Sequence, residues 1–140
     1  MSDLLGTRAT IGGDLNLLIQ IIILILLLIG YKFGKSKTAS SLKTHGRMMT
    51  IVVLLNAASI LLVMGPSFFS AFSNVLAEPA NIGFPLTSLH HSLGLIAEIL
   101  GVILVFKKFG NVRMWMRLTM SFWLVSLALG IILYVFYFVI

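Results

Sequence analysis

The sequence predicts an all-α integral membrane protein, a four-helix bundle with both termini on the outer face. Three observations predict it. Hydrophobic residues fill 59% of the 140 positions and charged residues only 10%, where a soluble domain carries about 25% charge. A soluble fold would lack the polar residues to coat that much apolar surface, so lipid must be the coat. Four apolar stretches approach the roughly 20 residues needed to cross a bilayer. Nine of the ten basic residues fall in two short segments between these stretches.

The first span is expected at about 15–32, an almost pure Leu/Ile run that starts beside Asn16 and contains Gln20. A polar segment precedes it and no A-x-A site follows, so it reads as a retained helix and not a cleaved signal. The second span is expected at about 48–69, with Asn56 inside it and Gly65-Pro66 near its end. The third, at about 86–106, holds His90, His91 and Glu98, and the fourth runs over about 118–140. Helices are required because backbone groups find no water in hydrocarbon. The runs do not alternate as β-barrel strands do. Together they make residues 1–140 a single domain.

Sidedness follows from the basic residues. Lys32, Lys35, Lys37, Lys43 and Arg47 lie between spans one and two, and Lys107, Lys108, Arg113 and Arg117 between spans three and four. The opposite side has Arg8 with Asp3, Asp14 and Glu78. The basic side is therefore expected to be cytoplasmic, in a multi-pass protein of the plasma membrane. The same cations suit anionic lipid headgroups. The net charge of +6 is thus read as topology and lipid contact, not nucleic-acid binding. The outer connection includes Phe68, Phe69 and Phe72, which suit a short helix lying in the interface and ended by Pro79. Trp115, Trp123, Tyr134 and Tyr137 are expected to form aromatic belts around span four.

No cysteine is present, which removes disulfides, thiolate metal sites and cysteine nucleophiles. No Walker loop, G-x-G-x-x-G or Ser/His/Asp arrangement occurs, so an enzyme acting alone is not expected. The chemistry-bearing candidates are polar residues at membrane depth, where each needs a compensating partner. Glu98 suits a proton-carrying or quinol-contacting group, or else a structural hydrogen bond to Asn56 at similar depth. Adjacent His90 and His91 project about 100° apart, so at most one is expected to face the bundle core. His91 and Glu98, seven residues apart, would share a helix face. The pair suits haem, metal or proton relay, against interfacial histidines in water.

His45, with Met48 and Met49 three and four residues on, forms a second constellation. Imidazole with thioethers suits copper(I) or a His/Met haem, against methionine as packing filler. The spans place His45 and His90/His91 at opposite membrane faces, about 25–30 Å apart. No internal bis-histidine haem pair is therefore expected. Ala97 and Gly101 make a small-xxx-small pair, and Gly130 lies on span four; such residues let helices approach.

His45-x-Arg47-Met48-Met49, Leu89-His90-His91-Ser92-Leu93-Gly94 and Trp123-x6-Gly130-x3-Tyr134 resemble a four-helix membrane family that includes the CtaM-type cytochrome oxidase assembly proteins. The resemblance runs from about Lys43 to the end. Val112 and Ser121 stand where the family pattern has a further histidine and a proline. The resemblance implies a role in maturing a haem–copper terminal oxidase, with His45, Arg47 and one of His90 or His91 as the positions carried over. Haem is then the first cofactor candidate and copper the second, and the partners are other integral membrane subunits. A small structural subunit of a respiratory-type complex is the alternative, and a small b-type haem or quinol-reactive protein the third.

Overall fold

The computed structural model describes residues 5–36, 38–66, 68–69, 83–106 and 111–140, with backbone only for 83–84. Helix α1 spans Ile11–Lys35, α2 spans Ala39–Ser59 and continues through a π-helical turn at Ile60–Met64, α3 spans Gly83–Phe106, and α4 spans Val112–Phe138. No strand occurs among the described residues. The chain is an all-α four-helix bundle, and all four helices are long and apolar enough to cross a membrane. It is a multi-pass membrane protein.

The helices reach further than hydropathy alone indicates. Polar caps start them outside the apolar runs. The Thr10 hydroxyl accepts from the amide of Gly13 at 3.2 Å, and that of Thr38 from Ser41 at the same distance. Asn111 accepts from the Met114 amide at 3.4 Å. Asp14 sits in the first turn of α1 and Lys32 and Lys35 in its last, each at the helix end whose partial charge it complements. Lys43, Arg47, Arg113 and Arg117 accordingly lie on helix turns, exposed, and not in loops. Lys37, Lys107, Lys108, Phe72 and Pro79 lie outside the described residues, and with them most of the expected interfacial helix.

Packing is pairwise. Helix α1 lies along α2, α3 along α4, and the two hairpins meet mainly through α2 and α3. Glycines set the first two contacts. A Cβ on Gly34 would stand 3.2 Å from the His45 ring, and one on Gly30 would strike the Met49 methyl. Across the second hairpin a Cβ on Gly94 would come 3.0 Å from the Ser126 hydroxyl, and one on Gly130 2.7 Å from the His90 ring. Without a hydrophobic force between helices in lipid, such close approach supplies the dispersion contact that joins them. Gly101 faces Val53 at the α2–α3 contact.

Ile23, Val52, Ala97, Trp123 and Leu127 form the small buried core. Trp123 is therefore no part of an aromatic belt. It lies eleven residues into α4, away from the helix end, on the face that meets the other helices. Large side chains such as Ile25, Leu54, Leu62, Ile132 and Phe136 point outward, as a lipid-facing surface requires.

Candidate functional site

One end of the bundle is closed by the segment before α1. The Asp14 carboxylate is fully buried and accepts hydrogen bonds from the Leu5 amide and the Thr7 hydroxyl, both at 3.0 Å, and from the Tyr134 hydroxyl of α4. The amide of Arg8 donates to the carbonyl of Phe138 at 3.0 Å. These contacts tie the first residues to the far end of the chain. A buried carboxylate needs such a set of donors.

Behind this closure a polar ladder crosses the bundle. The Ser59 hydroxyl donates to Asn16 Oδ1. Gln20 Nε2 donates to Asn56 Oδ1 at 3.0 Å and to the Ser59 hydroxyl at 3.3 Å. Asn56 Nδ2 donates to Glu98 Oε2 at 2.8 Å. Glu98 thus joins Asn56, and Gln20 joins the same network, so three helices share one set of hydrogen bonds. Glu98 Oε1 is buried and has no partner among the described residues.

The histidines are held by their Nδ1 atoms. His90 Nδ1 lies 2.7 Å from the carbonyl of Ser126 on α4, and His91 Nδ1 2.7 Å from that of Thr87 one turn back. A carbonyl only accepts, so each Nδ1 carries the proton and donates. In the neutral ring, Nε2 then presents a lone pair. This is the arrangement by which proteins orient an imidazole toward a ligand or metal. The two rings stand 4.9 Å apart, and His91 also meets the Phe68 ring at 4.9 Å.

Between the four helices at this level is a cavity of about 390 Å³. Its walls are mostly apolar, including Leu17, Met64, Leu127 and Ile131, with Asn16, Gln20, Asn56, His90, His91 and Tyr134 among its polar groups. Both histidines line it, where at most one was expected to face inward. The rings are anchored differently, His90 to a carbonyl of α4 and His91 to one on its own helix. The π-turn Ile60–Met64 contributes Ile60 and Met64 to its wall. Such turns insert a residue into a helix and frequently mark functional positions.

His45 lies elsewhere. Its Nδ1 donates to the carbonyl of Gly30 at 2.8 Å, and Met48 and Met49 pack with it against Gly30. Gly30 and the cavity residue Asn16 are fourteen positions apart on α1, about 21 Å along the axis at 1.5 Å per residue. The structure therefore brings together His90, His91, Gln20 and Asn56, sets Glu98 one hydrogen bond behind them, and leaves His45, Met48 and Met49 near the other end. Near that end the Lys35 ammonium stands 4.9 Å from the centroid of the Tyr31 ring. Among the described residues no three His, Asp or Glu side chains converge as a metal-binding group.

Ser126, Ser59, Asn16 and the Asp14–Tyr134 contact did not stand out in the sequence as members of a site. A serine in an apolar run is a weak signal by itself. The contacts of Gly94 with Ser126 and of Gly130 with His90 were legible only in the sense that both glycines occur inside helices.

No family model, curated protein or solved structure matches this chain.

Proposed function

We propose that the protein is a non-enzymatic membrane assembly factor for a haem–copper terminal oxidase, working through partner subunits. The observation that carries this reading is the division of its imidazoles. His90 and His91 line one cavity, each with its Nδ1 bonded to a backbone carbonyl, while His45 is bonded into a helix contact about 21 Å further along α1. Two neutral imidazoles from adjacent positions supply an incomplete ligand set. A protein that hands a cofactor on, or steadies a subunit until it receives one, needs such a half-site completed by its partner. The resemblance of the His45-x-Arg47-Met48-Met49 and Leu89-His90-His91 motifs to oxidase assembly proteins agrees with it. Exposed Lys35, Lys43, Arg47, Arg113 and Arg117 suit anionic headgroups on the basic side, which we assign to the cytoplasmic face of the plasma membrane.

The test is a deletion strain complemented with wild-type protein or with His90→Ala. The reading predicts that oxidase haem content and activity fall on deletion and return with wild-type protein only. Unchanged oxidase in the deletion strain contradicts it.

The outward apolar surface of all four helices supports a second reading, a permanent accessory subunit of a membrane complex. A stoichiometric partner in the mature, active complex would favour this reading, and a partner found only in the immature one would favour the first.

A further inference from the structure

We propose that the cavity beside His90 and His91 is a binding site for a quinol, meaning an aromatic ring with hydroxyl groups and an apolar tail that reaches it from the lipid. The proposal draws on the same two histidines as the oxidase reading but does not rest on that reading, because it concerns what this chain binds by itself.

Size and composition come first. A space of about 390 Å³ falls in the range of small-molecule sites, about 300–1,000 Å³, and such sites combine apolar walls with a few placed polar groups. In a membrane the ligand that meets both demands is itself amphipathic. The apolar walls formed by Leu17, Leu127 and Ile131 suit a ring and the start of a tail.

The polar groups then select the redox form. Both histidines spend their N–H on backbone carbonyls and offer Nε2 as an acceptor. Gln20 spends its amide hydrogens on Asn56 and Ser59, leaving its oxygen to accept. These groups offer lone pairs, while Asn16, whose oxygen accepts from Ser59, keeps its amide N–H groups to donate, so the site asks for a ligand that both donates and accepts. A quinol brings two hydroxyl donors. The corresponding quinone brings only carbonyl oxygens, which can accept from Asn16 but meet the lone pairs of His90, His91 and Gln20 without a hydrogen between them. A free metal cation fits less well. Two neutral imidazoles leave its charge uncompensated in a low dielectric, and no third His, Asp or Glu joins them among the described residues. Asp14 is occupied by the Leu5, Thr7 and Tyr134 donors.

Trp123 lines the cavity and provides the reporter. The protein carries two tryptophans, so Trp115→Phe leaves Trp123 alone. Purified protein in detergent is titrated with a benzoquinol bearing a ten-carbon tail, and separately with its quinone, while Trp123 fluorescence is followed. The proposal predicts saturable quenching by the quinol and about tenfold weaker binding of the quinone, the loss of roughly one hydrogen bond. His91→Phe removes one Nε2 and keeps an aromatic ring beside Phe68. Among the described residues its one side-chain hydrogen bond is to its own helix, so the bundle is expected to persist, as helical circular dichroism checks. This variant should weaken the quinol about tenfold, and Ile60→Phe, which fills the cavity, should abolish saturation. Non-saturable quenching equal for both redox forms would mean partition into detergent and overturns the proposal. So does a quinone bound as tightly as the quinol, or saturable quinol binding that neither variant changes.

Discussion

His90 donates from Nδ1 to the carbonyl of Ser126 across the α3–α4 contact, 2.7 Å away, and the Ser126 hydroxyl donates back to the carbonyl of His90 at 2.9 Å. Each residue sits over a glycine on the facing helix, His90 over Gly130 and Ser126 over Gly94. One reciprocal contact therefore joins the two helices and fixes which ring nitrogen of His90 carries the proton.

Substituting Gly130 tests that contact. The Cβ of Gly130→Ala would stand 2.7 Å from the His90 ring, so His90 must leave its place or the helices must part. Overpacking of this kind costs about 1–3 kcal/mol. Gly46→Ala is the control, since a Cβ there meets nothing within 4 Å and alanine favours helix by about 1 kcal/mol. Thermal unfolding in detergent should rank Gly46→Ala at or above wild type and Gly130→Ala clearly below. Equal midpoints for the two variants would remove the contact from the account.

The Asn56–Glu98 bond predicts a difference between two substitutions of Glu98. Glu98→Gln keeps an oxygen to accept from Asn56 Nδ2, so it should unfold close to wild type. Glu98→Ala leaves that donor unpaired and should lose about 0.6–1.7 kcal/mol, the range for interhelical hydrogen bonds in membranes. A Gln variant as unstable as the Ala variant would show that the structure needs the carboxylate itself.

Tyr134→Phe removes one of the donors to the fully buried Asp14. The cost of underbonding a buried acceptor is about 1–3 kcal/mol, more when it is charged. The first effect should be local. Amide hydrogen exchange at residues 5–9 should quicken, because this segment is held to α4 through Asp14, Thr7 and the Arg8 amide. Exchange confined to wild-type rates there would mean the closure rests on other contacts.

Sidedness can be read by labelling, because the chain lacks cysteine. Ser36→Cys and Asn111→Cys stand beside the basic helix ends and should react with an impermeant maleimide only after the membrane is opened. Thr10→Cys should react in intact cells. The reverse pattern would invert the orientation.

The four helices were legible because apolar runs in lipid have one secondary-structure solution. Their ends were less so. Hydropathy stops at Leu15, whereas Thr10 caps α1 five residues earlier and Asp14 is buried by donors from both termini. Glu98 and Asn56 could be paired from depth alone, because each was a polar residue in an apolar span and needed a partner. Gln20 was visible for the same reason, but its bonds to Asn56 and Ser59 depend on how α1 rotates against α2. That rotation is set by Gly30 and Gly34 accepting His45 and Met49, a fit that only three-dimensional packing reveals. The same holds for His90 and His91. Their spacing suggested that one would turn away, yet both line the cavity.

Copurification from mild detergent, followed by an absorption spectrum of the purified material, tests the central proposal most directly. The account predicts that tagged protein brings down an immature oxidase subunit, and that His90→Ala lowers its haem signal relative to wild type. Tagged protein that emerges alone from cells assembling the oxidase, with oxidase haem unaffected by the substitution, would contradict it.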